Sequence, residues 1–163
     1  ESLSLLDNVI VAGRDYPGER LTNLVFAPGR IREREKASNA EAMHLLERVG
    51  LAHRADSIAT QLSYGQQKLV GLARALMNDG RCILLDEPMA GVEGRTVETM
   101  KKVVRDEAAA GKAVCIVEHN IGFIRDMCDR AVFMFNGRIV ASGSVEDLLA
   151  DRRLTALYFG SKS

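Results

Sequence analysis

Tryptophan is absent from this sequence, and aromatic residues account for only 5% of its 163 residues. Its longest apolar runs are only as long as a strand, so we expect no segment that crosses a bilayer. The 22 basic residues balance the 22 acidic ones, which argues against an overall field that recruits nucleic acid, and we expect no nucleic-acid partner. A hydrophobic fraction of 47% instead indicates a folded globular protein with an aliphatic core.

Cysteine is also scarce, and the three cysteines have no C-x-x-C spacing. Cys82 and Cys115 lie inside apolar runs, while Cys128 lies outside them. An odd number of thiols in such surroundings is more typical of buried, reduced cysteines than of a disulfide framework or a metal site. We therefore predict buried thiols in a cytosolic protein.

The sequence also lacks the glycine-rich G-x-x-x-x-G-K-[ST] loop that commonly holds nucleotide phosphates. Two features that often accompany phosphate chemistry are nevertheless present. Residues 62–67 (LSYGQQ) combine a glycine turn with the start of a helix. Residues 82–88 (CILLDEP) form an apolar strand that ends in two adjacent carboxylates. Together, at this spacing, they predict a site that acts on the phosphates of a nucleotide.

Helix signals occur at two places in the first half of the chain. Ser38, with Glu41 three residues on, has the spacing of a capping box and is predicted to begin a helix that ends at the next glycine. Ser63 and Gln66 repeat this spacing and are predicted to cap a second helix. Residues 1–37 are predicted to be irregular.

Short, continuous apolar runs follow. Residues 82–85 and 113–117 are predicted strands, buried on both faces of a parallel sheet and separated by an amphipathic helix. This alternation predicts an α/β layer with right-handed crossovers. Residues 131–135 and 138–141 flank an Asn-Gly dipeptide, which is a strong hairpin signal. Short helices are predicted at residues 121–127, 145–149 and 154–159.

Acidic and imidazole groups follow both predicted parallel strands. Asp86 and Glu87 end the first strand, and Glu118 and His119 follow the second. Because ligands bind beyond the carboxyl ends of parallel strands, we predict that these side chains form one site. Asp86 is suited to hold Mg²⁺ through water, and Glu87 to polarise an attacking water as general base. His119 is suited to donate to a terminal phosphate or to orient that water. Taken singly, Glu87 would be better explained as a strand-end carboxylate that caps the next helix, and His119 as a satisfied core histidine. Only the set of residues favours a site.

The start of the second predicted helix supplies a complementary half-site. Unpaired backbone N–H groups and the positive end of the helix dipole attract phosphate. Gly65 lets the backbone approach a ligand closely, and the Ser63 hydroxyl adds a donor. A plain helix cap with a turn glycine is the alternative, and it would suffice if this were the only feature.

The chain resembles the C-terminal part of an ATP-binding-cassette (ABC) transporter ATPase subunit over about residues 1–160. Residues 62–66 are similar to the family signature, with Tyr64 where the commonest form has glycine. Residues 82–87 are similar to the Walker B motif of the family, and His119 to its switch histidine. The occurrence of these motifs in this order makes the resemblance specific.

Further residues indicate the branch of the family. Residues 90–93 (AGVE) occupy the place of the D-loop, with Glu93 where Asp or Asn is often found. Tyr64, the Glu118-His119 pair and the ending at residues 158–160 (YFG) resemble the branched-chain amino acid uptake branch. The lipopolysaccharide-export branch is also similar.

The resemblance implies a partial P-loop NTPase (RecA-like) core with parallel strands, an ABC helical subdomain and a C-terminal hairpin. Residues 1–80 would form the helical subdomain with its irregular N-terminal segment, and residues 81–163 the C-terminal part of the nucleotide-binding core. The phosphate-binding loop, the aromatic side chain that stacks on adenine and the glutamine loop would all precede residue 1. We therefore expect a C-terminal fragment that is catalytically incomplete alone.

The resemblance also implies ATP and Mg²⁺ as cofactors of the complete subunit, with Glu87 and His119 catalytic and Asp86 at the metal. In a head-to-tail dimer each ATP is held by the phosphate loop of one subunit and capped by the signature of the other. This chain would supply the cap in trans. The residues implied to bind nucleotide are Ser63, Tyr64, Gly65, Gln66, Asp86 and Glu93.

The implied partners are integral-membrane permease subunits and a second ABC ATPase subunit, in a homo- or heterodimer. The implied location is the cytoplasm, at the inner face of the cell membrane, and the implied activity is import of branched-chain amino acids or similar small solutes. The alternatives are a truncated, non-catalytic docking or regulatory module and a lipopolysaccharide-export-type ATPase. Continuous apolar strands need neighbours on both sides, and the resemblance implies that some of these neighbours belong to the part that precedes residue 1. We therefore also expect exposed apolar surface and self-association.

Overall fold

The computed structural model describes residues 3–14 and 28–159. The chain divides into two compact units, Glu1–Val117 and Glu118–Ser163. The predicted boundary at residue 80 stays a prediction. Among the described helices, none combines the length and the apolarity that spanning a membrane requires.

The first unit begins with a helix where an irregular segment was predicted. Helix α1 spans Leu5–Ile10, and the Ser4 side chain caps it by accepting from the backbone N–H of Asp7. Leu5 and Val9, one turn apart, are fully buried. The backbone N–H of Leu5 also donates to the carbonyl of Ser57 at 2.9 Å. These contacts with distant residues stabilise a helix that is too short to form alone. Residues 15–27 of the predicted irregular segment lie outside the described residues.

Helix α2, Pro28–Arg48, begins ten residues before the predicted start. Ser38 is therefore not an N-cap but a buried residue in the middle of the helix, and the predicted capping box with Glu41 is wrong. Proline suits the first turn of a helix because the N–H that it lacks has no intrahelical partner there. The buried positions Ile31, Ala42 and Leu45 continue the helical period on both sides of Ser38.

Helix α3, Tyr64–Met77, confirms the second helix and its cap at Ser63. Short 3₁₀ turns at Ala52–Arg54 and Ala59–Gln61 connect it to α2. Its buried face packs against α1 and α2. The buried residues of α3 are Leu69, Val70, Leu72, Ala73, Leu76 and Met77.

A parallel strand pair completes the first unit. Strand β1, Cys82–Asp86, and strand β2, Ala113–Val117, pair with Asp86 opposite Val117, and helix α4, Arg95–Ala109, connects them. The predicted strand–helix–strand order and parallel pairing are confirmed. α4 packs against β2, and it buries Met100, Val103 and Val104.

Burial of the two strands on both faces was predicted, and this is wrong. Ile83 and Leu85 are buried, whereas Leu84 between them is 68% exposed. Cys82 and Cys115 are exposed and Cys128 is partly exposed, which corrects the prediction of buried thiols. The side-chain period of two explains this result, because Cys82 and Leu84 share one face of β1 and Cys115 lies opposite Leu84 in the register.

The second unit contains the predicted hairpin. Strands β3, Ala131–Phe135, and β4, Arg138–Gly143, pair antiparallel. Asn136 and Gly137 both have positive φ, 48° and 73°, as a two-residue type I′ turn requires. β4 is two residues longer than predicted. The helices of this unit are α5, Ile121–Met127, α6, Val145–Ala150, and α7, Arg152–Phe159.

Candidate functional site

The two carboxylates of β1 lie where the strand gives way to a turn. Asp86 is the last residue of β1 and is exposed. Glu87 follows with a φ of 43°, a conformation that costs about 1–3 kcal/mol in a residue other than glycine. Its N–H donates to the carbonyl of Val117 at 2.9 Å, and its carbonyl accepts from the N–H of Ala90 at 3.2 Å. Both ends of the Glu87 residue are thus held by hydrogen bonds that favour this backbone.

The start of α3 is held by a reciprocal capping box. Ser63 Oγ accepts from the N–H of Gln66 at 3.3 Å, and Gln66 Oε1 accepts from the N–H of Ser63 at 3.1 Å. Arg54 Nη1 also donates to Gln66 Oε1, at 3.4 Å, and Arg54 Nη2 donates to the carbonyl of Gln61 at 3.3 Å. This arrangement fixes the helix start that was predicted to attract phosphate. Arg54 was not predicted, and no local spacing indicates it.

The turn after β1 packs closely against the start of α3. Gly91 has a φ of 66°, and a Cβ there would lie 3.0 Å from Cε1 of Tyr64. A Cβ on Gly65 would lie 3.2 Å from Cγ2 of Thr96 in the first turn of α4. The residues similar to the signature and to the D-loop are therefore in direct contact. Glu93, in the same turn, is exposed.

Lys68 joins these two segments. Its Nζ donates to the carbonyl oxygen of Glu87 at 3.0 Å and lies 5.6 Å from the centroid of the Tyr64 ring. Lys68 was not predicted as a site residue. Its position four residues after Tyr64 on α3 could have predicted the contact with that ring. The bond to Glu87 joins residues 19 positions apart, and no local spacing predicts it.

A cleft of about 320 Å³ lies between α3 and β1. Asp86 lines it together with Tyr64 and Lys68, and Leu84 and Leu85 form part of its apolar wall. The other lining residues are Gln67, Gly71, Leu72, Ala75, Pro88 and Met100. The structure thus brings the carboxylate predicted to hold Mg²⁺ and the signature-like helix to one cleft.

Glu118 and His119 belong to the second unit. The Glu118 side chain is 1% exposed, and its Oε2 accepts from the N–H groups of His119 at 3.1 Å and Asn120 at 3.3 Å. His119 Nδ1 lies 4.0 Å from Glu118 Oε2, and its side chain is 68% exposed. This exposure rules out the core-histidine alternative. The meeting of His119 with Asp86 and Glu87 stays a prediction.

The donor set suits Mg²⁺ only together with phosphate. Within residues 3–14 and 28–159 there is no group of three or more His, Cys, Asp or Glu side chains that could hold a metal ion. Mg²⁺ at nucleotide sites is commonly bound by one or two carboxylates, waters and phosphate oxygens. The exposed carboxylate of Asp86 at a strand end fits this mode, in which the nucleotide supplies the other ligands.

Comparisons with known proteins agree with these motifs. The family described as "ABC transporter" matches residues 5–90, which is more than half of the chain. A probable branched-chain amino acid transport ATP-binding protein LivG of Archaeoglobus fulgidus is 33% identical over 162 residues, covering 99% of this chain and 62% of the relative. The arginine transport ATP-binding protein ArgV of Corynebacterium glutamicum is 37% identical, covering 79% and 51%.

Other relatives belong to different transport systems. The lipopolysaccharide export system ATP-binding protein LptB of Haemophilus influenzae is 36% identical, covering 79% of this chain and 52% of the relative. The crystal structure of a nucleotide-free ATP-binding cassette from an ABC transporter superposes with a TM-score of 0.77 at 32% identity, covering 98% of this chain and 64% of that one. The chain thus spans about half to two thirds of the length of its relatives.

The structural likeness confirms the predicted α/β class with a core like that of P-loop NTPases. The family match covers α1 to α3, β1 and the first residues after it up to residue 90, including residues 62–66 and Asp86-Glu87. The signature-like and Walker B-like motifs therefore lie inside the matched region. Over 97% of its length the chain also superposes on 63% of an ATP-binding cassette of an ABC transporter, with a TM-score of 0.77 at 31% identity. The chain belongs to the ABC transporter family.

Proposed function

We propose that this chain is the signature-bearing, C-terminal part of an ATP-hydrolysing ABC transporter subunit that imports branched-chain amino acids or similar small solutes. The observation that carries the proposal is the packing of the capped start of α3 against the turn that follows Asp86 and Glu87. Likeness to the LivG relative over 99% of the chain supports the branched-chain branch.

Each site residue has a proposed role. Glu87 is the general base that polarises the attacking water, an effect worth about 10²–10⁴ in rate. Asp86 would hold Mg²⁺, and a bound Mg²⁺ would offset negative charge on the phosphates. His119 donates to the terminal phosphate or orients the water. The cap on the nucleotide of a second subunit is formed by Ser63, Tyr64, Gly65 and Gln66, with Glu93 beside it.

The 163 residues contain no G-x-x-x-x-G-K-[ST] motif, so we propose that phosphate positioning comes from another stretch of polypeptide. Positioning supplies most of the catalysis in phosphoryl transfer, and these residues alone are therefore proposed to be catalytically incomplete. Residues 1–80 are proposed as the helical part and residues 81–163 as the core part. The proposed partners are permease subunits at the inner face of the membrane and a second ATPase subunit.

A chimera tests the proposed chemistry. The part of the Archaeoglobus relative that this chain does not match is joined ahead of residue 1, and ATP turnover is measured in the chimera and in the 163-residue chain. We expect turnover in the chimera and at most about 1% of it in the chain alone. Glu87→Gln should lower turnover in the chimera by about 10²–10⁴.

The matched control is Glu98→Gln. Glu98 is an exposed carboxylate in the first turn of α4, and its substitution should leave turnover within about twofold of the parent, since surface pairs contribute little. A Glu87→Gln chimera as active as this control would contradict the proposed base. Robust turnover by the 163-residue chain would contradict its catalytic incompleteness.

Two other assignments have an observation in their favour. The LptB relative supports a lipopolysaccharide-export-type ATPase, and the unbroken sequence from the helical part to the C-terminal hairpin favours a docking or regulatory module. Co-purification of the chain with permease subunits of the two transport systems discriminates between the branches. An inactive chimera that still binds ATP and a permease would favour the docking module.

A further inference from the structure

Lys68 is held in a defined place by two contacts. It lies in the second turn of α3 and is partly buried. Its Nζ donates to the Glu87 carbonyl at 3.0 Å and lies over the Tyr64 ring, 5.6 Å from its centroid. An ammonium group within about 6 Å of an aromatic face is attracted by the ring quadrupole. The ring thus favours the rotamer from which Lys68 reaches Glu87.

The Glu87 backbone needs such support. Its φ of 43° lies in the left-handed region, which non-glycine residues occupy only when the surroundings over-determine it. The N–H of Glu87 donates to Val117, and its carbonyl accepts from both Ala90 and Lys68. Of these three bonds, that of Lys68 is the one made by a side chain. It is therefore the bond that a substitution can remove while the backbone partners remain.

The Tyr64 ring lies against Gly91 on one side, although 55% of the residue is exposed. Gly91, at a φ of 66°, allows the ring to lie where a Cβ would come within 3.0 Å of Cε1. Tyr64 and Lys68 form part of the α3 side of the cleft between α3 and β1, and Asp86 lines the same cleft. A chain of contacts runs from the start of α3 through Lys68 to the backbone of Glu87.

We propose that Lys68 is a positioning residue that fixes the backbone of Glu87, and that Tyr64 holds the Lys68 ammonium group in place. The functional part of this inference rests on the proposed role of Glu87 as general base. The start of α3, proposed to contact the nucleotide of a second subunit, is then linked directly to the base that acts on the nucleotide of its own subunit.

Amide hydrogen exchange in the full 163-residue chain tests the positioning without any assumption about activity. Lys68→Met keeps an unbranched side chain that is one heavy atom shorter and removes the donor. The Glu87 amide, which donates to Val117, should then exchange about tenfold faster, because a charge-assisted hydrogen bond to the carbonyl on the other side of the same Cα is lost and the residue is less firmly held. Lys68→Arg keeps a donor and should restore most of the protection.

Two controls separate positioning from general loosening. Lys102→Met removes an exposed lysine that pairs with Asp106 on α4, and it should leave Glu87 exchange within about twofold of the parent. The amide of Leu85, inside β1, should also stay within about twofold in Lys68→Met. Unchanged Glu87 exchange in Lys68→Met would overturn the inference, and so would equal acceleration at Leu85.

Tyr64→Leu, which keeps Lys68 and removes the ring, is the second variant and should accelerate Glu87 exchange about threefold.

Kinetics of the chimera test the consequence for catalysis. Lys68→Met should lower kcat about 10- to 100-fold with the KM for ATP changed by less than about threefold, because misplacing a reacting group slows chemistry more than binding. Lys68→Arg should recover kcat to within about threefold of the parent. A fall in kcat that is accompanied by a comparable rise in the KM for ATP, and that arginine does not rescue, would overturn the positioning role in catalysis.

The two proposals fail in different ways. If Glu87→Gln leaves turnover unchanged, the proposed function is wrong, and hydrogen exchange alone decides whether Lys68 holds Glu87. If Glu87→Gln slows turnover and Lys68→Met changes neither exchange nor kcat, Glu87 keeps its proposed role and the inference about Lys68 is wrong.

Discussion

Replacing Glu107 with Gln should destabilise the chain far more than replacing a neighbouring carboxylate. Glu107 lies in α4 with a side chain that is only 7% exposed, between Arg48 at the end of α2 and Lys112 before β2. Its Oε1 lies 2.6 Å from Arg48 Nη1, and its Oε2 lies 2.8 Å from Lys112 Nζ. Lys112 Nζ is also 3.6 Å from Oδ1 of Asp79. One carboxylate thus ties together three parts of the first unit.

The magnitude follows from burial. Removing one partner of a buried ion pair costs about 3–5 kcal/mol, because the remaining charge is left uncompensated. Arg48 and Lys112 keep about a quarter of their side-chain surface exposed, 24% and 23%, so that water partly compensates them in the variant. We therefore expect the lower end, a loss of about 3 kcal/mol in the free energy of unfolding at pH 7.

The same pair predicts a pH dependence. Burial raises the pKa of Glu107, but hydrogen bonds from Lys112 and Arg48 outweigh burial and leave the pKa below its ordinary value of 4.5. The stabilisation is therefore fully present above pH 4.5 and is lost as the pH falls through the folded-state pKa. The hydrogen bond with Glu107 raises the pKa of Lys112 above 10.5. Its contribution is present below pH 10.5 and is lost as the pH rises through the raised pKa.

Urea unfolding followed by far-UV circular dichroism measures both effects. Glu107→Gln and the parent are compared at pH 7 and at steps below pH 4.5, where the difference between them should shrink by at most about 1.4 kcal/mol per pH unit. The control is Asp106→Asn, which removes an exposed pair with Lys102 on the same helix and should cost less than about 0.5 kcal/mol. A Glu107→Gln effect as small as that of the control, or one that is independent of pH, would refute the reasoning.

Three further predictions concern single positions. Ser63→Ala removes the Oγ acceptor of the α3 cap and should lower the free energy of unfolding by about 1 kcal/mol, while an unchanged urea midpoint would contradict this role. Gly91→Ala places a Cβ 3.0 Å from Cε1 of Tyr64 at a φ of 66°. It should cost about 1–2 kcal/mol in the same assay, and a neutral result would contradict both the backbone strain and the close contact. Exposed Leu84 predicts self-association that Leu84→Lys weakens, as measured by light scattering; a parent chain that stays monomeric at high concentration would contradict it.

The sequence predicts those elements whose signals are local. The cap at Ser63 and the Asn136-Gly137 hairpin are confirmed because residues within four positions of each other set their geometry. Helix α1 was missed because six residues make a marginal helix, and its stability depends on Ser57 and on distant packing. The predicted helix start at Ser38 was wrong because Ser38, a small polar residue in a buried stripe, has the same spacing to Glu41 as the residues of a capping box.

The prediction of strand burial failed for a different reason. A continuous apolar run shows that both faces of a strand suit apolar surroundings, but it does not show which neighbours are present. In this structure β1 buries Ile83 and Leu85 and exposes Leu84. The exposure of Cys82 follows from the same alternation. The run therefore predicted the strand correctly and the burial of its second face incorrectly. The separate expectation of exposed apolar surface agrees with the exposure of Leu84 and Val117.

Gly65 illustrates how far the site itself can be predicted. From the sequence, Gly65 was predicted to let the backbone approach a phosphate closely. The structure shows a second reason for a glycine, because a Cβ there would lie 3.2 Å from Cγ2 of Thr96. Packing alone therefore accounts for a glycine at this position. The capping box accounts in the same way for Ser63 and Gln66. Neither packing nor capping explains why Glu87 has a positive φ beside the cleft. Glu87 bears a conformational cost that a glycine at this position would avoid. Glu87 is accordingly the residue of this site for which a chemical role is the strongest explanation.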